Sequence, residues 1–224
     1  MNNSSSSKLG GQCLIVGAII SFIIFIIQIL IGGPPPGSEH IFSYFANETV
    51  GRGSSGVIYT LLGTFGTALI AFGFLVLNGH LQEQQKASML SLGTFLFIMG
   101  QIGFLVVTSM DVAILYAQDT ANIANIFINQ MSLFFMVGPL GFLGFALVSL
   151  NLASRGFINA LYSRITGAVF LLTILAFAYT AFNLADPRTH NIPSTIMPAF
   201  AGISIAQFFA VIWQLMVGMK MMKN

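Results

Sequence analysis

The chain has 224 residues, of which 56% are hydrophobic and only 6% are charged, and its mean hydropathy is +0.88. Soluble domains carry roughly 25% charged residues, so most of the surface of this chain must face lipid rather than water. Its eight basic and six acidic residues give a formal charge of +2 and are too few to form a nucleic-acid-binding surface.

The first predicted elements are a polar tail and an apolar span. Residues 1–13 include the run Ser4 to Ser7 and lack apolar periodicity, so we expect a mobile cytoplasmic tail. The next run, Leu14 to Ile31, is longer than the roughly 7 to 15 residues of a signal-peptide core. No small-x-small cleavage pattern follows it, so it is predicted to be a retained span.

Residues 14–220 are predicted to form one transmembrane domain of six spans. Each apolar stretch is close to the roughly 20 residues that a helix needs to cross about 30 Å of hydrocarbon. Helices are expected because lipid offers no partner to a bare backbone amide, and the strict alternation of a membrane β-strand is absent. The prediction is an all-α polytopic bundle with spans near 14–31, 57–77, 89–109, 126–150, 165–184 and 196–219.

The fourth predicted span contains Pro139 at its centre, between Gly138 and the glycines Gly141 and Gly144. Proline bends a helix, and glycines let a neighbouring backbone come close. We therefore expect a bend and a close helix contact in this span. Because both residue types are ordinary in membrane helices, a packing role is favoured over a functional one.

Basic residues predict the orientation of the bundle. Six fall on one predicted side and two on the other, which places the first group in the cytoplasm and gives an N-in, C-in topology. The chain is therefore assigned to the cell membrane as a multi-pass protein. The basic residues on the predicted cytoplasmic side are Lys8, Lys86, Arg155, Arg164, Lys220 and Lys223, and those on the other side are Arg52 and Arg188.

Uncharged polar residues recur at a spacing of seven inside five of the six spans, and seven residues return a side chain to the same helix face. One interpretation is hydrogen bonding between helices, worth about 0.6 kcal/mol per contact on average. The other is a polar cavity that admits a small molecule or a lipid headgroup. The candidate residues are Gln28, Thr67, Gln101, Thr108, Thr173, Gln207 and Gln214.

Ionisable residues fall outside the centres of the predicted spans, which disfavours proton-coupled transport. We expect no catalytic residues, no cofactor and no metal site, and hence no enzyme. Acids and histidines assigned to the outer loops are interpreted as a solvated acidic rim, with a cation site as the alternative; they are Glu39, His40, Glu48, Asp111, Asp119, Asp186 and His190. Residues near predicted interfaces are expected to be anchors; they are Arg52, Trp213, Tyr162, Tyr59 and Tyr44.

Three features carry a resemblance to known proteins. They are the polar first outer loop that ends near Arg52-Gly53, the fourth span interrupted at Pro139, and the last span, which begins Pro198-Ala199-Phe200-Ala201-Gly202. That span closes with Trp213-Gln214-Leu215-Met216-Val217-Gly218-Met219-Lys220. The layout resembles a family of uncharacterised six-helix integral membrane proteins of bacteria and archaea, described as a domain of unknown function. The resemblance implies no activity and no site residues.

The sequence thus favours a non-enzymatic structural or accessory membrane component. The alternative is a small transporter, or a membrane protein that binds a lipid or small molecule in an uncharged polar cavity. Its expected partners are membrane lipids, with a second copy of the chain or another membrane protein as further candidates, and not nucleic acid.

Overall fold

The computed structural model describes residues 3–32, 40–117, 120–186, 188–189 and 192–223. Within these ranges the chain forms helices and no strands, which confirms the predicted all-α fold. All the α-helices except α2 are long and apolar enough to cross a membrane. The helices are α1 (Asn3–Ile31), α2 (Ile41–Gly51), α3 (Gly53–Gln84), α4 (Ser88–Tyr116), α5 (Thr120–Arg155), α6 (Ala160–Ala185) and α7 (Met197–Lys223), with a 3₁₀ turn at Pro193–Thr195.

Every predicted span lies within or nearly within one of the six long helices, but several helices extend well beyond their spans. Helix α4, for example, continues to Tyr116 although its predicted span ends at residue 109. Hydropathy identifies only the apolar part of a helix, which lies in the hydrocarbon core. The helical backbone hydrogen bonds continue beyond it into the interface. Asp111 therefore lies on a helix and not in an outer loop.

The N-terminal residues differ from the expected mobile tail. Helix α1 already begins at Asn3, and Ser7 is only 2% exposed. The Ser7 hydroxyl donates a hydrogen bond of 3.0 Å to the carbonyl of Met221. A Cβ built on Gly11 would lie 2.6 Å from the carbonyl oxygen of Gly218. This segment is ordered by packing against α7, a partner more than 200 positions away that local composition cannot reveal.

The six long helices form a closed ring. Each packs against the next long helix along the chain, and α1 packs against α7 as well as against α3. The described chain begins and finishes at the same end of this ring, where Ser7 meets Met221. We call this the terminal end and the opposite end, which carries α2, the α2 end.

Glycines bring the backbones of α4 and α5 into direct contact. A Cβ on Gly100 would overlap the backbone of Gly141, and a Cβ on Gly93 would lie 3.1 Å from the carbonyl oxygen of Gly144. The close contact predicted for the fourth span is therefore present, and α5 continues through Pro139. The bend at this proline stays a prediction.

A cluster of aromatic side chains fills the terminal half of the ring. Trp213 is fully buried, with its ring 4.9 Å from that of Phe145 and 5.8 Å from that of Phe74. Its indole Nε1 donates a hydrogen bond of 2.7 Å to the hydroxyl of Ser163. The expectation that Trp213 is an interface anchor is therefore wrong, because its ring is buried in the core of the bundle.

Helix α2 lies in the segment that the sequence assigned to a polar loop. Its residues Ile41 and Ala46 are buried, and Ala46 packs in a cluster with Ile114, Ile123 and Phe127. The spacing of Ile41, Phe45 and Thr49 follows one helical face and is the signal that could have predicted this element. Its contacts with α3, α4 and α5 fix α2 over one end of the ring.

Candidate functional site

The ring encloses a central cavity of about 200 Å³, lined by side chains from all six long helices. On the terminal side it is bounded by the rings of Phe97, Phe145 and Phe170. Phe145 and Phe170 are stacked with their centroids 4.2 Å apart. The structure brings six of the seven candidate residues to this cavity: Gln28, Thr67, Gln101, Thr108, Gln207 and Gln214.

Four glutamine side chains define the polarity of the central cavity. In the part of the chain that the structure describes, the amides of Gln28, Gln101, Gln207 and Gln214 make no hydrogen bond to protein. Gln214 is 4% exposed and lies next to the aromatic cluster. Each amide offers two N–H donors and one carbonyl acceptor, so all of these groups are available to an occupant of the cavity.

Of the three candidate threonines, two line the central cavity and one joins two helices. Thr67 is buried and lines the cavity, and the Thr108 hydroxyl donates to the carbonyl of Leu105 on its own helix at 3.2 Å. Thr173 does not line it. Its hydroxyl lies 2.9 Å from the carbonyl oxygen of Val169 and 3.1 Å from that of Gly202 on α7. Thr173 therefore joins two helices, whereas the glutamines do not.

Asp111 lies where the sequence did not place it. The expectation was an acidic rim in the outer loops, but this carboxylate is half-buried and lines the central cavity. Gln130 on α5 donates from Nε2 to its Oδ1 at 2.6 Å and to the carbonyl of Val107 at 2.9 Å. Sequence reasoning missed Gln130, because it belongs to no seven-residue series; an isolated glutamine within a span was the available signal.

A second cavity, of about 450 Å³, adjoins the first at the α2 end. It shares Gln28, Thr108 and Asp111 with the central cavity. Most of its lining is apolar and aromatic, and several of the rings touch one another: Phe45 stacks on Phe200 with centroids 5.2 Å apart. Its charged residues are Arg52 and Asp111.

Arg52, which the sequence predicted to be an interface anchor, is half-buried directly before α3. It lines the second cavity, and its Nε atom is buried without a hydrogen-bond partner. It interacts electrostatically with Asp111. Among the described residues the one ion pair within 4.0 Å joins Arg188 and Asp186, so Arg52 and Asp111 attract each other over a longer distance.

The other members of the expected acidic rim are dispersed or lie outside the described residues. Asp186 pairs with Arg188 at 2.8 Å on the surface. In the described ranges no three histidine, cysteine, aspartate or glutamate side chains come close enough together to hold a metal ion. Glu39, Asp119 and His190 are not among the described residues.

No protein-family model, curated protein or solved structure matches the chain. The resemblance to an uncharacterised six-helix membrane family therefore stays a prediction.

Proposed function

We propose that this multi-pass membrane protein binds a small molecule with uncharged polar groups in its central cavity, as a non-enzymatic binding protein or transporter. The observation that carries the proposal is the set of four glutamine amides that line the cavity without a protein partner. Hydroxyl and amide groups match these side chains best, because each can both donate and accept a hydrogen bond.

The energetics of the glutamines support a binding role over a purely structural one. An interhelical hydrogen bond contributes about 0.6 kcal/mol to stability on average, and the four cavity amides make none to the described residues. A side chain that serves only to join helices is expected to bond as Thr173 does with Gly202. Four unbonded amides around one space are better explained by an occupant than by helix packing.

The competing proposal is the structural or accessory component that the sequence favoured. The glycine contacts between α4 and α5 fit a rigid scaffold, but they fit the wall of a binding cavity equally well. This proposal predicts a cavity that tolerates apolar replacements and takes up no solute.

For the cellular setting we propose the cytoplasmic membrane of a bacterium or archaeon. The basic-residue bias supports the topology, and the exposed apolar side chains of the ring, such as Leu172 and Phe182, support lipids as immediate partners. A second copy of the chain or another membrane protein remains a candidate partner.

Cysteine accessibility tests the binding proposal. In a Cys13→Ala background we compare Gln207→Cys, on the cavity, with Phe208→Cys, the next residue on α7, whose side chain is 55% exposed on the outside of the ring. In proteoliposomes a water-soluble methanethiosulfonate reagent should modify position 207 and spare position 208, because a thiol in lipid does not ionise.

Small uncharged probes then test occupancy. Glycerol and acetamide, added separately at rising concentration, should slow modification at position 207 in proportion to their binding. Equal reactivity at the two positions, or modification at 207 that neither probe slows, would contradict the proposal. Solute uptake into the same proteoliposomes separates a transporter from a binding protein.

A further inference from the structure

Asp111 and Gln130 form the acceptor side of the second cavity. Gln130 is only 4% exposed, and while its amide nitrogen bonds Asp111, its carbonyl Oε1 is buried without a partner. The same cavity is lined by both residues. A carboxylate next to an unbonded carbonyl oxygen is suited to a cation that also donates hydrogen bonds.

Arg52 forms the donor side. Its Nε hydrogen has no partner within the described ranges, and a guanidinium binds anionic oxygens through several donors at once. A Cβ built on Gly32 would lie 3.6 Å from Nη2 of Arg52 and 3.7 Å from Oε2 of Glu48, so a second carboxylate is close to this cation. The buried Nε is nevertheless left without an acceptor.

Arg52 and Asp111 carry opposite charges and line one cavity without forming a close ion pair. We propose that the second cavity binds a zwitterion, with its ammonium group at Asp111 and Gln130 and its anionic oxygens at Arg52. A ligand with one charge would meet attraction from one side and repulsion from the other. A zwitterion satisfies both sides and fills the gap between them.

The lining narrows the ligand class further. The unbonded Gln130 carbonyl can accept a hydrogen bond, which a primary ammonium can donate and a quaternary ammonium cannot. The surrounding phenylalanines and the volume of about 450 Å³ accommodate an apolar portion. A free apolar amino acid and the headgroup of a phosphatidylethanolamine lipid share this chemistry.

This site goes beyond the proposed function of the central cavity, because Arg52 and Gln130 line only the second cavity. Asp111 lines both cavities, whereas Gln101, Gln207 and Gln214 line only the central one. A failure of one site to bind leaves the prediction for the other unchanged, because Gln207 lines only the first and Arg52 lines only the second.

Ligand discrimination by the unmodified protein in detergent is the first test. L-leucine should raise the Tm, whereas isopentylamine, which lacks the carboxylate, and 4-methylpentanoate, which lacks the amine, should need about tenfold or higher concentrations for the same rise. Phosphatidylethanolamine is compared in the same way with phosphatidylcholine and phosphatidylglycerol that carry identical acyl chains.

The results distinguish a free zwitterion from a lipid headgroup as the ligand, or they reject the site. Stabilisation by leucine alone identifies a free zwitterion, and stabilisation by phosphatidylethanolamine alone identifies a lipid headgroup. Either supports the proposal. If neither raises the Tm, or if the singly charged compounds do so at equal concentrations, the proposal is overturned.

Charge variants give a second, independent test. Arg52→Gln and Asp111→Asn should each weaken binding of the active zwitterion by about tenfold or more. The matched controls are Arg188→Gln and Asp186→Asn, which remove the same charges from the exposed ion pair between α6 and α7. Equal effects of the site and control variants would reject a role for Arg52 and Asp111.

Discussion

Polar side chains within the ring differ in what they contact. The Thr173 hydroxyl reaches a carbonyl on the neighbouring helix, and the Trp213 indole reaches the hydroxyl of Ser163. The Gln101 amide, by contrast, lies on the central cavity without a protein partner. The first two contacts stabilise the fold, whereas the amide makes no hydrogen bond to the described residues that would do so.

This difference predicts different effects of two polar-to-apolar substitutions. Gln101→Leu should leave the free energy of unfolding unchanged or raise it by up to about 1 kcal/mol, because no protein hydrogen bond is lost. Thr173→Val should lower it by about 0.6 kcal/mol through loss of the interhelical bond. Thermal unfolding in detergent measures both; a lower Tm for Gln101→Leu would show that its amide joins helices after all.

The seven-residue spacing was sufficient to predict that these polar side chains face inward, because helix periodicity alone fixes a common face. It could not predict which ones bond and which line a cavity. That depends on the distance between facing helices, which contacts such as Gly100 with Gly141 determine. For the same reason Gln130, paired with Asp111 on another helix, gave no periodic signal.

At the scale of elements, the contact between α4 and α5 leaves the least space for a larger side chain. A Cβ on Gly144 would overlap the backbone of Phe97, and backbone atoms cannot rotate aside as a side chain can. Gly79 on α3 has nothing within 4 Å of the position a Cβ would take. The two glycines therefore offer a matched comparison.

Gly144→Ala should destabilise the protein by about 1–3 kcal/mol, because the two helices must separate. Gly79→Ala should have no effect or stabilise it by up to about 1 kcal/mol, since alanine favours the helix. Unfolding in detergent, with the wild type in the same buffer, is the measurement. Equal stability of the two variants would mean that α4 and α5 are not held this closely.

Six spans follow from hydropathy, because a stretch of about 20 apolar residues has few alternatives in a membrane. The helix ends and the presence of α2 cannot be predicted from hydropathy, because they depend on contacts between elements. Ala46 is buried only because Ile114 and Phe127 lie over it. The cavity at the α2 end was unpredictable for the same reason.

At the scale of the whole molecule, the ring brings both ends of the described chain together through Ser7 and Met221. An even number of spans requires them to lie on one side of the membrane. The bias of lysines and arginines predicts that this side is cytoplasmic. The same prediction places the second cavity, at the α2 end, towards the outside.

Cysteine labelling in intact cells checks this orientation. In the Cys13→Ala background, Ser54→Cys at the α2 end should react with an impermeant maleimide added outside. Gln85→Cys, between α3 and α4, should react only after the cells are permeabilised. Both positions are exposed, so accessibility within the protein does not bias the comparison. The reverse pattern would invert the topology.

The stacked rings around Trp213 close the two cavities at the terminal end. A solute that arrives beside Gln214 finds Phe97, Phe145 and Phe170 across its path, and the indole behind them is tied to Ser163. Onward passage would require that bond to break and the stack to part, so the conformation described is closed at the terminal end.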